Sequence, residues 1–455
     1  MSAGASSCRG TDRYRSPEVD MKGMYRDAAA ADTATVATIP WASYFTDPKL
    51  QNLIAEGLME NFDLQTAQLR IQEAEAGLQV ARAAYFPVAG LTGQVTHTRT
   101  SERNGETSVF GYGSGQYRLG IAVQWELDLW GKLNRQERAR YAQYLNSMEY
   151  RRLIHTVLVS NIAASYYTLM ALDEQLRISR ATIVLLEESA ASMQAMMDAP
   201  LRNVNAAAVE QSRALLLSTQ ISSLNLEQSI RKLENALCVL IGRKPGAVER
   251  QSLDSWTAPA ALLPYGVPAQ MLALRPDVRS AELQLRAAFE LRKSAQASLY
   301  PSITLSSGTM AGFGSTTLSD FFKPANLLAN VIGGLTQPVF AGRQLRAQVT
   351  VTKAQEEEAL VNFQKTALTA AREVSDVLFV YEKALEKTDF RSGQIESLRK
   401  SVYYTQELLK ADEATYLEVL TAQQNYLAAQ LAAVNDKLEK AQAIIDLYRA
   451  LGGGE

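Results

Sequence analysis

Cysteine and histidine are almost absent from this 455-residue chain, which contains two of each. Cys8 and Cys238 are too few and too far apart for a disulfide scaffold or a cysteine-based zinc site. His97 and His155 likewise argue against a histidine metal site. The sequence therefore predicts no metal and no other cofactor.

An excess of either charge is also missing. The 46 Lys and Arg residues nearly balance 48 Asp and Glu residues, which gives a formal charge of −2 and a pI of about 6.0. Nucleic-acid-binding domains usually carry a basic patch or stripe, so nucleic acid is not predicted as a partner.

Catalytic glycine motifs are absent as well. The phrases "GYGSG" (Gly111–Gly115) and "IGRKPG" (Ile241–Gly246) lack the spacing of a phosphate loop or a nucleophile elbow. We interpret them as loop and helix-end residues, and we predict that the protein is not an enzyme.

Long uncharged apolar runs, of about 18 residues or more, do not occur, so the sequence predicts that there is no transmembrane helix. Transmembrane strands alternate and leave a weaker signal, so a membrane protein remains open. The start "MSAGASSC" lacks the basic and apolar regions of a signal peptide. It fits either a cytosolic start or a mature or engineered end whose signal was removed.

Glycine and proline avoid two long stretches. Lys132–Ala199 contains neither, and Arg343–Leu451 contains only Gly393. Both stretches are rich in good helix formers. A helix of about 65 residues would extend on the order of 100 Å, far beyond an ordinary globular helix of about 8–20 residues. We therefore predict long helices with coiled-coil-like packing.

Two heptad seams support that prediction, because a 3-4 spacing of apolar residues favours left-handed supercoiling. The first seam is Leu64, Ala67, Ile71, Ala74, Leu78, Ala81 and Tyr85. The second seam is Leu417, Leu420, Gln424, Leu427, Leu431, Val434, Leu438, Ala441, Ile445 and Tyr448.

The chain changes from a helical to an alternating pattern twice, at Pro87 in "AAYFPVAGLTG" and at Pro301 in "ASLYPSITLSS". Because proline disfavours helix in the residue before it, each proline is predicted to end a helix and lead into a strand. A shift of 214 residues superimposes the two sites, and a shift of 210 matches Gly242 with Gly452. Such self-similarity indicates an internal duplication.

The predicted organisation is an N-terminal extended segment (1–45), a first repeat (46–242), a proline-rich linker (243–277) and a second repeat (278–455). Each repeat is predicted to contain a helix, a β-hairpin and long helices.

Four strands per chain are predicted. Tyr117–Leu127 alternates strictly, and its equivalent is about 328–340; the strands after the prolines are about 88–98 and 302–312. The polar, glycine-rich residues 98–115 are predicted to form a loop. Four strands cannot close a barrel, but several chains could close one together. A soluble sandwich on a helical stalk remains the alternative.

Six phrases, in order, resemble the outer-membrane factor family of tripartite efflux systems, the TolC/OprM type. They are "WASYFTDPKLQNLIAEGLMENFDLQTAQLRIQEAEA", "WELDLWGK", "LRPDVRSAE", "PVFAGR", "AREVSDVL" and "YLEVLTAQ…LYRALGGG". The resemblance implies a mostly α protein with a membrane β-barrel. Three chains would supply four strands each to a 12-stranded barrel, continuous with a long α-helical coiled-coil-like tunnel.

The resemblance further implies a passive exit duct for drugs or other small molecules in the outer membrane of a Gram-negative bacterium, extending into the periplasm. The implied partners are outer-membrane lipid, a periplasmic adaptor (membrane fusion) protein and an inner-membrane pump of the RND type. The alternative is a soluble coiled-coil scaffold or filament, which would need no detergent for extraction.

The resemblance also suggests site residues. Cys8 follows "GASS" and is the expected lipidation site, although the preceding apolar run of a lipobox is absent; an inert thiol is the alternative. The helix tips are expected to contact an adaptor through Asp198, Arg202, Asn203 and Asp412. At the position of Asp412, before the "YLEVL" phrase, the family usually has a glycine.

The periplasmic gate is expected at Leu417, which matches the family's hydrophobic constriction residue. The family's acidic ring is expected to be missing or moved, because Thr421 occupies its position; the nearest carboxylate is Glu418. In the alternative interpretation Leu417 merely begins the second heptad seam.

Overall fold

The computed structural model describes residues 13–17, 40–103, 106–198, 206–256, 275–411 and 413–453. These residues fall into two compact units. The sheet unit is built mainly from Arg70–Met148 and Ser280–Gln364. The helical unit is built from Val19–Leu69, Glu149–Arg279 and Lys365–Glu455.

The elements follow one another in the same order twice, as helices, strands and then two long helices. In chain order they are α1 (Trp41–Tyr44), α2 (Pro48–Glu60), α3 (Phe62–Ala83), β1 (Val88–Arg103), β2 (Glu106–Leu127), α4 (Lys132–Asp198), α5 (Ala206–Leu240), α6 (Pro276–Ala297), β3 (Ser302–Ser315), β4 (Leu327–Ala329), β5 (Ile332–Thr336), α7 (Gln344–Lys410) and α8 (Tyr416–Ala450).

The long helices are confirmed: α4 and α7 each have 67 residues. At about 1.5 Å per residue, each extends roughly 100 Å. Helix α4 contains one window that is long and apolar enough to cross a membrane, and 56% of that window is buried inside the protein. Core helices of helical proteins meet the same criterion, so this window alone does not indicate a membrane span.

The first heptad seam is confirmed along α3. Each of its residues is buried or half-buried, whereas the residues between them are exposed, apart from half-buried Gly77. The second seam, along α8, differs at its start, because Leu417 and Gln424 are exposed. From Leu427 onward the seam residues are again buried or half-buried.

Both proline switches are confirmed. Helix α3 ends at Ala83 and β1 begins directly after Pro87, and α6 and β3 flank Pro301 in the same way. Both helices end in tightened turns, in which the amide of Phe86 donates to Ala83 O at 2.9 Å and that of Tyr300 to Ala297 O at 3.1 Å.

The matched glycines end helices in the same manner. Gly242 and Gly452 have φ values of 76° and 96°, a left-handed conformation that glycine adopts without steric cost. At each end the next amide reaches back five residues, from Arg243 to Cys238 O and from Gly453 to Tyr448 O. This hydrogen bond is the signature of a Schellman motif, which satisfies the last carbonyls of the helix.

The strands β1 and β2 are longer than predicted, and the loop predicted at residues 98–115 is wrong for 98–103 and 106–115; residues 104 and 105 lie outside the described residues. The two strands pair in regular antiparallel register from Val88↔Gln124 to Thr100↔Tyr112, and pairing resumes at Glu102↔Thr107. The glycines and polar residues leave the ladder continuous up to Thr100, because cross-strand pairing satisfies the backbone whatever the side chain, and the register shifts once, between Thr100 and Glu102.

The strand predicted at about 328–340 is present as two short segments and ends earlier. Strands β4 and β5 both pair with β3, and they flank Asn330, whose amide donates to Met310 O. Strand β5 ends at Thr336, before Pro338, which cannot donate to a ladder.

The sheet, in the order β1-β2-β3-β4 with β5 also on β3, has two distinct faces. Residues directly opposite in the register share a face. One face is apolar and includes Leu91, Val95, Leu119, Ile121, Val123, Leu305, Phe313, Leu327 and Leu335. The other is mostly small or polar and includes Thr92, Gln94, Thr96, Arg118, Gln124, Thr304 and Ser306.

Candidate functional site at the start of α8

The first turn of α8 is fixed by its cap. The carboxylate of Glu418 accepts hydrogen bonds from the backbone amide of Thr415 at 2.6 Å and from its hydroxyl at 3.1 Å. The side chain of Thr415 in turn accepts from the backbone amide of Glu418, and this reciprocal arrangement is a capping box, which satisfies amides that have no partner within the helix. Glu418 is therefore engaged with its own helix end.

Buried residues anchor this turn from one side. Tyr416, Val419 and Leu420 pack with Met193 of α4 and Val209 of α5 in one hydrophobic cluster. The side chain of Tyr416 is only 2% exposed. The cluster holds the end of α4, the start of α5 and the start of α8 together within the helical unit.

Leu417 lies outside that cluster and is 58% exposed. The hydroxyl of Thr421, one turn further on, is also exposed and donates to Leu417 O at 2.7 Å. A large apolar side chain on a rigidly capped turn thus faces away from the core of its own chain. Its exposure is not what the alternative interpretation expects, in which Leu417 begins a buried seam.

The end of α7, just before this site, carries an exposed ion pair. Lys410 donates to Glu407 at 2.7 Å. This hydrogen bond raises the pKa of Lys410.

The predicted adaptor-contact residues are only partly within the described residues. Asp198 is the last residue of α4 and accepts a hydrogen bond from Gln194 at 3.0 Å. Arg202, Asn203 and Asp412 lie outside the described residues, as does Cys8.

Sequence reasoning missed a buried arginine at the other end of the helical unit. Arg275 is 5% exposed and donates to Asp277, to Glu373 of α7 at 2.7 Å and to Ala450 O at the end of α8. Burial lowers the pKa of its guanidinium, but the hydrogen bonds to both carboxylates outweigh burial and raise it. The arginine is part of the phrase "LRPDVRSAE", but the sequence does not show which carboxylates pair with it.

A half-buried arginine fixes the segment after α5. Arg250 donates to Asp173 of α4 at 2.5 and 2.8 Å and to Glu234 of α5 at 2.6 Å. The hydrogen bonds to Asp173 are the main reason that the pKa of Arg250 is raised. The described part of the predicted linker is therefore attached to the helical unit by charge-assisted hydrogen bonds.

An aromatic cluster holds the phrase that begins "WASYF" in place within the helical unit. Tyr44 and Phe45 contact the ring of Tyr448, and the hydroxyl of Tyr44 donates to Ile444 O at 2.8 Å. Asp47 then caps α2 and accepts a hydrogen bond from Tyr166 of α4 at 2.5 Å. The segment that contains Tyr44 and Phe45 is thereby packed against the end of α8.

Comparison with known proteins identifies the wider relationship. The model of the outer membrane efflux protein family matches twice, over residues 53–243 and 267–453. Both matches contain a helix, strands and two long helices of the structure.

Two curated relatives cover most of the chain. The probable outer membrane lipoprotein SilC of Salmonella typhimurium is 29% identical over 414 residues, which cover 91% of this chain and 88% of SilC. The toluene efflux pump outer membrane protein TtgF of Pseudomonas putida is 29% identical over 434 residues, covering 95% of this chain and 88% of TtgF.

The fold is similar to that of a solved structure. A crystal structure of CusC superimposes with a TM-score of 0.83 at 26% sequence identity, over 94% of this chain and 100% of CusC.

Proposed function

Because the chain belongs to the outer membrane efflux protein family, it is an outer-membrane exit duct for efflux, and we propose that three copies close one 12-stranded barrel. Family members are passive channels rather than enzymes, and they work with periplasmic adaptors and inner-membrane pumps. Three chains would each contribute four strand positions, with β4 and β5 sharing the fourth.

The two faces of the sheet carry this proposal. Leu91 is 77% exposed and Leu335 is 70% exposed, although both belong to the apolar face. Among the described residues β1 pairs with β2, and β4 and β5 pair with β3, so each outer edge has backbone groups for another strand. An open sheet edge is not tolerated in lipid, and edge-to-edge pairing between chains removes it. The apolar face would then contact lipid and the polar face would line the lumen.

The test is the mass and conductance of the full-length protein in mild detergent. We expect a trimer that needs detergent for extraction and that inserts into planar bilayers as a channel. A soluble coiled-coil scaffold, the alternative, would be extracted without detergent. A monomer in mild detergent, or a trimer without channel activity, would contradict the proposal.

We propose that two repeats, 46–242 and 278–455, build each chain, with 1–45 as an N-terminal segment and 243–277 as a linker. The repeated element order and the equal helix ends at Gly242 and Gly452 support this division.

The helix tips are the proposed docking region for an adaptor that connects to an RND-type pump. Asp198 offers an exposed carboxylate there, and Arg202, Asn203 and Asp412 are proposed contacts from the sequence alone. Cys8 is the proposed site of lipid attachment, in line with the word lipoprotein in the name of SilC.

The proposed gate is Leu417. Its exposure on a capped turn would let three copies meet on the axis and exclude water, which is one way in which channels close. Glu418 supports the gate by fixing the turn that carries Leu417, and Thr421 brings no charge to the next turn.

A further inference from the structure

The polar face of the sheet carries an arginine, Arg118, near the middle of the long strand β2. Its side chain is exposed, and the residues directly opposite in the register are Gln94 of β1 and Gly314 of β3. A Cβ built on Gly314 would lie 3.8 Å from Cγ of Arg118, so the glycine leaves space beside the stem of the arginine. The guanidinium therefore extends from the polar face among uncharged neighbours.

A carboxylate that could neutralise this charge lies far away on the same face. Glu126 is eight residues further along β2, roughly 26 Å at about 3.3 Å per residue. It is also paired already, because Lys132 donates to it at 2.8 Å. The facing strands carry no acidic residue from Val88 to Thr100 or from Ser302 to Ser315.

The distance across the lumen decides whether such a charge matters, and this step rests on the proposed 12-stranded barrel. Twelve strands about 4.8 Å apart and tilted by about 40° enclose a circle with a radius of roughly 12 Å. An arginine that points inward brings its charge closer to the axis than that. At 0.1 M salt the Debye length is about 10 Å, so an ion on the axis would feel three copies of Arg118, while Glu126 would be screened from them.

We infer that three Arg118 side chains form a positively charged ring inside the barrel, which concentrates small anions there and repels cations. A confined surface of one charge sign raises the local concentration of the opposite ion. The guanidinium keeps its charge at any physiological pH, so the ring does not switch off. The molecules that it favours are those with an exposed carboxylate, sulfonate or phosphate group.

The first experiment measures the electrostatic potential beside Arg118. Gln94→Cys places a thiol directly opposite the arginine, and the full-length trimer in detergent is treated with a sulfonate or a trimethylammonium derivative of ethyl methanethiosulfonate. Peptide mass spectrometry follows the reaction at position 94 alone. The ratio of the two rates cancels any effect of the arginine on the thiol itself. Arg118→Gln should lower the ratio of the anionic to the cationic rate about 5-fold, as expected for unit charges a few Å apart in water.

Matched variants separate charge from shape. Arg118→Lys keeps the charge and should keep the ratio. Arg99→Gln removes a positive charge from the apolar face of the same pair of strands and should leave the ratio unchanged. At about 1 M salt, where the Debye length is about 3 Å, most of the effect of Arg118→Gln should disappear. An equal ratio with and without Arg118 would overturn the inference.

The second experiment measures ion selectivity from the reversal potential across planar bilayers in a KCl gradient. The unaltered channel should prefer chloride more strongly than the Arg118→Gln channel does, and Arg118→Glu should shift the preference toward potassium. A trimeric channel whose reversal potential is the same in all three would overturn the ring and leave the proposed duct intact. A protein that is not trimeric, or a Gln94→Cys thiol that reacts with neither reagent, would contradict the barrel and the ring together.

Discussion

The sheet exposes most of the large apolar side chains on one face, whereas the helical unit buries many of its own and exposes others, such as Leu217 and Phe390. On the sheet, Leu91, Leu327 and Leu335 are exposed on one continuous face. In the helical unit, Ile162 and Leu169 of α4 are fully buried. Both patterns follow from periodicity, because a strand alternates every two residues and a helix presents the same face about every 3.6 residues. The difference teaches that the sheet is built for an apolar surrounding, whereas the helices make their own core.

Charges reinforce the contrast. The helical unit encloses Arg275 and Arg250, each held by two carboxylates. In the sheet, Arg118 belongs to the polar face. A buried charge persists only where its partners are fixed, and a charge on a barrel strand persists where water reaches it.

The largest expected effect is loss of the buried arginine. Arg275→Leu should destabilise the helical unit by about 3–5 kcal/mol, because it leaves Glu373 and Asp277 without their cation. Thermal or denaturant unfolding followed by circular dichroism measures the change.

The control for Arg275 is Arg372→Leu, which removes an exposed arginine 3.7 Å from Asp376. Its effect should stay within about 0.5 kcal/mol. Equal losses from the two variants would mean that the buried network is not what stabilises this end of the unit.

The next largest effect is expected from a charge placed on the apolar face of the sheet, in contrast to the same charge on the polar face. Val123→Lys, on the apolar face, should cost about 2–4 kcal/mol at mid-depth and impair assembly in the membrane. Gln124→Lys, on the opposite face, should assemble normally. Outer-membrane yield and heat stability of the assembled protein are the measurements. Similar damage at both positions would refute the assignment of the faces.

Leu417→Ser should barely change stability, since the side chain is 58% exposed, yet it should change function. We expect a higher resting conductance in planar bilayers and greater uptake of large antibiotics by cells. The neighbouring Leu420→Ser is the contrast, because Leu420 is buried and its loss should lower stability. Unchanged conductance in a correctly assembled Leu417→Ser protein would place the gate elsewhere.

The smallest effect is expected at the exposed pair of Lys437 and Asp254, 2.8 Å apart. The hydrogen bond from Lys437 lowers the pKa of Asp254 below its ordinary 3.8. A carboxyl group whose pKa is lowered by folding stabilises the folded state at pH values above its ordinary pKa. This stabilisation is lost as the pH falls through the lowered pKa. Lys437→Met should therefore cost at most about 1 kcal/mol near neutral pH.

The pH dependence of unfolding checks this prediction. The difference between Lys437→Met and the unaltered protein should vanish in acid, once Asp254 is protonated in the folded state. A difference that persists unchanged at low pH would show that Lys437 acts through packing rather than charge.

Periodicity predicted the architecture well and the polar strand ends poorly. The α3 seam and both proline switches were found from the sequence, since local spacing and the restricted backbone of proline specify them. Residues 98–115 were mistaken for a loop, because glycine and polar side chains look the same in a loop and on the water-facing half of a strand. The split into β4 and β5 was equally invisible, since it depends on the hydrogen bond between Asn330 and Met310.

The candidate site, too, could be predicted from the sequence only in part. Leu417 could be singled out from a phrase, but the phrase did not show that Leu417 is exposed while its neighbour Tyr416 is buried. The capped turn exposes the first and buries the second against Met193 and Val209, which are about 200 residues away in the chain.

By itself the sequence determined where the helices and strands run, because helix propensity, heptad spacing and proline act over a few residues. Tertiary structure alone decided which charges are buried and which leucine is exposed. Those outcomes depend on side chains brought together from distant parts of the chain, such as Arg275 with Glu373 and Tyr416 with Met193. No local pattern contains such a pairing, so no local pattern could specify it.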